Sequence, residues 1–353
     1  DNLFTVNKLD ESEYAYLINS VDYNIPAVIN SLVNSDILVS TAFKPFTINT
    51  SNGLISFDYG SLVIPVSLQK ISPNELFNKL ENIQNKFQVN VYSAPSGLSS
   101  GGIDLGSRYV SPLKKQKAMM LVGTGVRSYE AGEVWHLLDQ RVGMPISKIP
   151  IRNFDRVSMD TYTTMVIVSG SYDFNEDQIM KIKDWASNGN TIISIGSGSK
   201  FLIDKGIVNE KLHESDKNEG KKDYLPYIDA QDNRGKERIG GIILNAQVDL
   251  THPIGFGYED SNVPVYRNNT VWIQPSENEY SSVVRYTSDP LIDGFITYNN
   301  EEKLDSSISL LVSKIGNGRA VMFSDNPNFR GSWYGTNRLF LNAILLGDKI
   351  QVP

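Results

Sequence analysis

The sequence predicts an α/β protein: two consecutive doubly wound units related by a degenerate repeat, with β-rich additions in the C-terminal half. Three observations point there. Between Lys117 and Ser199, apolar runs ending in glycine or serine alternate with helical patterns, which marks strands buried on both faces. A similar order fills residues 14–96, and a shift of 103 residues lays 14–20 on 117–123 and 61–66 on 164–169. The same shift lays the helix start Ser72…Glu75 on Asn175…Gln178, which shares its capping pattern.

Taken in order, residues 1–13 are a polar lead-in and 14–20 (YAYLINS) a strand. Pro26 suits the first turn of a helix over 25–33. A strand at 37–41 precedes a turn-rich stretch with Asn52-Gly53, and SLVIPV at 61–66 is a buried strand. Ser72, Pro73 and Glu75 open a helix whose Leu76, Leu80, Ile83 and Phe87 share a face. A strand at 89–93 closes the first unit, 14–96, and the Gly/Ser-rich stretch 97–116 reads as a linker. The second unit, 117–353, begins with strand 118–123 (AMMLVG) and helix 131–140. Strand 165–169, helix 175–187, strand 191–196 (TIISIG) and a helical stretch to Gly206 follow. A charge-dense insertion at about 204–240 reads as solvated. Short strands are expected at 242–247, 263–267, 270–273, 282–286 and 294–298. The core pattern returns at 309–315 and 320–324 (AVMFS), and a last helix over 334–346 ends on Gly347 as its cap.

With 353 residues, 40% hydrophobic and 21% charged, the chain has the composition of a globular protein with two or three cores. Its formal net charge of −7 argues against a general nucleic-acid binder. No apolar run approaches the roughly 20 residues of a membrane span. The absence of an initiator Met or signal peptide reads as a processed or excised piece. There is no cysteine, which excludes disulfides, thiolate metal sites and a cysteine nucleophile. Three histidines are present: His136, His213 and His252.

In doubly wound sheets ligands sit outside the carboxyl ends of the strands. Three loops hold that edge: Gly123-Thr124-Gly125, Ser169-Gly170-Ser171 and Gly196-Ser197-Gly198-Ser199. The last has the strand–turn–helix form of a nucleophile elbow. Gly196 takes its centre, so the reactive side chain is missing in that register. No catalytic set is expected; the alternative is Ser197 or Ser199 with His252 as base. Glu133 and His136 lie one helical turn apart, a spacing that can ligate a metal, but a closed site needs further ligands. The other reading is a buried helix with a hydrogen-bonded histidine, and no metal site is expected. His213 reads as solvated. The polar run from Asp325 to Arg338 follows a strand on the ligand edge. Arg330 there can grip a carboxylate or phosphate, with Trp333 and Tyr334 as an apolar wall; otherwise the run fixes the last helix, with Thr336 or Asn337 capping. The ligand-binding candidates are therefore Gly123, Gly125, Glu133, His136, Gly196, Asp325, Asn328, Arg330 and Trp333.

Residues 104–107 (DLGS), 132–140 (GEVWHLLDQ), 251–258 (THPIGFGY), 325–331 (DNPNFRG) and 334–337 (YGTN) carry a likeness. Together they resemble the C-terminal region of large secreted bacterial zinc carboxypeptidase-like proteins, over about residues 14–347. The resemblance implies a class I glutamine amidotransferase-like, flavodoxin-like fold and a secreted or periplasmic location. It also implies a parent protein whose N-terminal peptidase domain holds zinc through H-x-x-E and a distant histidine. That motif is absent here, where the histidines continue as His136…Asp139, His213…Asp216 and His252…Gly255. In amidotransferases of this class the elbow residue is cysteine and the histidine opens H-x-E; here they are Gly196 and His252-Pro253-Ile254. The expected function is a non-catalytic accessory region acting in binding, docking or stability, without a cofactor and partnered by the parent's peptidase domain. Zinc is expected in that domain alone. A serine hydrolase or amidase on the same scaffold, and a module binding a small ligand, peptide or glycan, remain as alternatives.

Overall fold

The computed structural model describes residues 6–213, 226–236 and 238–351. Residues 214–225 and 237 of the expected charged insertion lie outside them.

The first unit runs β1 (Ala15–Ile18), α1 (Ile25–Asn34), β2 (Ser40–Ala42), β3 (Phe46–Thr50), β4 (Gly53–Phe57), β5 (Leu62–Pro65), α2 (Pro73–Phe87) and β6 (Tyr92–Ala94). The α/β pattern is as expected, but the sheet is not doubly wound. Its order is β6-β1-β5-β2, and every neighbouring pair is antiparallel. This is a split β-α-β arrangement. The β3–β4 hairpin, expected only as a turn-rich stretch, returns the chain so that β5 inserts between β1 and β2. The hairpin sheet then covers the face that the helices leave open. Leu17 and Val63 pack with Phe46, Ile48 and Phe57 on that side, while Tyr16, Ile18 and Ile64 pack with α1 and α2 on the other. The segment 97–116, expected as a linker, supplies β7 (Gly101–Gly102) against β3 and β8 (Val110–Pro112) against β2.

The second unit carries β9 (Ala118–Val122), α3 (Ser128–Trp135), β10 (Ile146–Pro150), β11 (Thr164–Ile167), α4 (Glu176–Ser187), β12 (Thr191–Ile195) and α5 (Ser197–Asp204). It continues with α6 (Ala230–Lys236), β13 (Ile242–Val248), β14 (Asn262–Arg267), β15 (Ser282–Gly294), α7 (Tyr298–Asp305), β16 (Ile308–Ile315), β17 (Gly318–Phe323) and α8 (Tyr334–Leu345). One nine-stranded sheet, β10-β9-β11-β12-β17-β16-β15-β13-β14, spans the unit. From β10 to β17 the strands are parallel; the other four extend the sheet antiparallel, as the expected β-rich addition. Met120, Val166, Ile193 and Val321 face α3 and α8, while Met119, Ile167, Ile192 and Met322 face α4 and α5. Helices on both faces explain why these strands read as unbroken apolar runs.

Local differences have local causes. Residues 294–298 leave β15 at Gly294 and enter α7. The stretch 270–273 gives only an isolated bridge, Leu212 to Ile273. Gly347 does not cap α8 in a left-handed conformation; it begins a 3-10 turn against Thr191. One apolar core joins α1 and α2 to α3 and α8, so the two units share their interior.

Candidate functional site

The three expected loops do meet at the carboxyl edge of the parallel strands, where they are bonded to one another. Arg127 N donates to Ser169 O (2.9 Å) and Ser171 N to Gly125 O (3.0 Å). Buried Glu130 accepts from Ser169 N at 2.8 Å and pairs with Arg127 at 3.3 Å. Ser197 Oγ accepts from Gly170 N (2.9 Å) and donates to Gly170 O (3.2 Å). Ser199 is fully buried, bonded to Ser194 Oγ (2.9 Å) and donating to Phe323 O (3.0 Å).

Gly196 keeps the form of an elbow: at φ 53°, ψ −120° it turns β12 directly into α5. A Cβ at this position would run into Ser169 Oγ. The place of a nucleophile's side chain is thus taken by a neighbouring loop.

His252 stands at the other edge of the sheet. β13 runs antiparallel to β15, β15 to β16, and β16 to β17. The end of β13 at Val248 therefore lies on the amino-terminal side of the parallel strands, and His252 follows it. Its Nδ1 accepts from Ile254 N at 3.2 Å. Burial pulls its pKa down to about 4, against the opposing pull of Asp249, so the imidazole is neutral at pH 7. The structure does not bring Ser197 or Ser199 together with it.

The polar run after β17 is largely scaffold. Asp325 is buried, paired with the fully buried Arg267 at 3.0 Å and accepting from Tyr286 OH (2.8 Å) and Ser309 Oγ (2.5 Å). Arg267 also stacks on Trp272, 3.9 Å from its ring centroid. Asn328 is buried too, its N–H bonded to Asn326. Glu133 accepts from Asn326 Nδ2 (2.8 Å) and Arg330 N (2.6 Å), tying α3 to this loop. Burial raises the Glu133 pKa, opposed by those two donors. His136 is exposed beside Gly331 instead of lying buried in its helix. Arg330 is exposed, at φ 53°. Trp333 Nε1 donates to Pro264 O at 3.1 Å, and Phe329 stacks on Tyr266 at 3.5 Å. Thr336 hydrogen-bonds Pro327 O, so it anchors α8 without capping it. His213, expected as solvated, is hydrogen-bonded to Ser306 O at 2.8 Å. Among the described residues, no three His, Cys, Asp or Glu side chains group to hold a metal ion.

The sequence reading missed the Arg267–Tyr286–Asp325 network and the cleft beside Lys148. Arg267 ends a strand and Lys148 lies inside one; neither belongs to a motif. The cleft measures about 330 Å³ and is lined by Met120, Val122, Gly123, Val126, Trp135 and Lys148, among others. Of the predicted ligand residues it includes Gly123; Arg330 and Trp333 do not line it.

No family model matches the sequence, and no curated protein does. Solved structures do resemble it. A ThuA-like protein from Parabacteroides merdae is 11% identical, covering 66% of this chain and 90% of its own, with a TM-score of 0.43. A candidate GMP synthase subunit from Thermoplasma acidophilum is 13% identical over 65% and 92%, at 0.41. A glutamine amidotransferase from Thermotoga maritima is 10% identical over 60% and 76%, at 0.37. Scores this low carry no functional weight; the α/β class rests on this chain's own strand order and direction. No helix among the described residues is long and apolar enough to cross a membrane.

Proposed function

We propose that this chain is a non-catalytic accessory module that acts by binding or docking. The observation that carries this reading is the elbow at Gly196, where Ser169 Oγ occupies the space a nucleophile needs. The hydroxyl of the following residue, Ser197, is already engaged as both donor and acceptor by Gly170. A serine acts as nucleophile when a base can take its proton, and Ser197 gives that proton to Gly170 O. The parent protein, its zinc-dependent peptidase domain and a secreted or periplasmic location follow from the sequence resemblance alone.

The test is an assay of this chain against amide, ester and peptide substrates, with and without zinc. No turnover above background is expected. Turnover abolished by Ser197→Ala or His252→Ala would overturn the reading in favour of a serine hydrolase. Within the accessory role, small-ligand binding is favoured by one observation, the cleft between α3 and β10.

A further inference from the structure

We infer that this cleft binds a small amphipathic anion, with a flat apolar body and a single carboxylate or phosphate head. The inference rests on the binding reading above and gives it a site and a ligand class.

The cleft arises from how the sheet is covered. In the parallel pairing of β9 and β10, Lys148 lies opposite Met120, so both project from the same face. Met120 and Val122 carry that face toward α3, which contributes Ala131 and Trp135. β10 is the terminal strand of the sheet, and the floor beside it stays open over about 330 Å³. The site lies along β9 and β10, with Gly123 at the carboxyl end of β9, and no residue of β11 lines it.

The lining fixes the chemistry. Its walls are chiefly aliphatic and indole carbon, and Lys148 is the single charged residue among them, with no carboxylate. The Lys148 ammonium stands 5.0 Å over the Trp135 ring and forms no ion pair with the described residues. Lys148 is exposed, so a neutral guest leaves its ammonium to water and gains nothing from it, and a cationic guest is repelled. An anion satisfies the ammonium while its apolar body covers Met120, Val122 and Trp135. Ser128, the first residue of α3, also lines the cleft and offers a hydroxyl to the guest.

Titration calorimetry of the whole chain tests this with four probes: indole-3-acetate, indole-3-acetamide, tryptamine and phenyl phosphate. At least one anion should bind, about three-fold more tightly than the acetamide, and tryptamine should not bind; the two anions separate a carboxylate from a phosphate preference. Lys148→Met should erase the anion's advantage over the acetamide. Gly132→Phe should abolish binding by filling the cleft from an exposed position where a Cβ meets nothing within 4 Å. Equal affinity for acid and amide, binding that survives Gly132→Phe, or no binding by any probe would overturn the inference. Ammonia release from the acetamide would overturn instead the non-catalytic reading, so the two failures are distinguishable.

Discussion

Gly196 holds a left-handed turn that no other residue fits, since a Cβ meets both an unfavourable φ and Ser169 Oγ. Gly196→Ala should therefore cost about 1–3 kcal/mol, read as a lower urea midpoint at constant slope. An unchanged midpoint would mean that the Ser169 loop yields freely. His252 gives a pH signature. Its folded pKa of about 4 lies below its ordinary 6.5, so between those values the unfolded chain binds the proton and the folded chain does not. Stability should fall as pH drops from 6.5 toward 4. His252→Gln should remove this component, visible as a smaller difference between melting temperatures at pH 7 and pH 5. At this scale the sequence showed that a nucleophile was missing but not what replaced it. Ser169 and Gly196 belong to successive strands, and only the sheet brings their loops together. Likewise Asp325 stood out in a polar run, while Arg267, 58 residues away in the chain, had no local signal.

At the scale of elements, the caps were the most legible features. Asn175 accepts from Gln178 N and the Gln178 side chain returns the bond, a complete capping box. Ser72 accepts from Glu75 N. Asn175→Ala should destabilise the protein by about 1 kcal/mol, measured by denaturant unfolding, and Asn175→Asp should restore most of it. Strand direction was not legible. β1 and β5 are buried on both faces, by helices on one side and the β3–β4 hairpin on the other, so they lack the apolar–polar alternation of an antiparallel sheet with one wet face. Sequence pattern reports burial, and here burial was the same for opposite directions of travel. The hairpin itself was hidden because Gly53 and Leu54 face solvent at the start of β4.

At the scale of the whole molecule, α1 lies between the two sheets and joins their interiors. Asn30 Nδ2 donates to Val142 O and Gly143 O across the junction. Buried Arg338 of α8 donates to Ser20 O and Asp22 O, just ahead of α1. A shared core of this kind predicts one cooperative transition in calorimetry. It also predicts that residues 117–353, expressed alone, bind a hydrophobic dye and aggregate, because the surface under α1 is apolar. Two resolved transitions with a soluble, dye-silent fragment would contradict this. The 103-residue offset pointed to two units of one kind, yet the first sheet is antiparallel and the second parallel from β10 to β17, and the shared interior is a long-range fact that no local pattern encodes.

The large sheet also ends differently on its two sides. β14 carries Pro264, which offers no N–H, and its carbonyl is already taken by the Trp333 indole. β10 ends the other side with a run free of proline until Pro150. Any strand borrowed from a neighbouring molecule, whether in assembly or in misassembly, therefore has one margin on which to add. Two copies meeting there about a two-fold axis would continue each other's sheet with a single antiparallel seam.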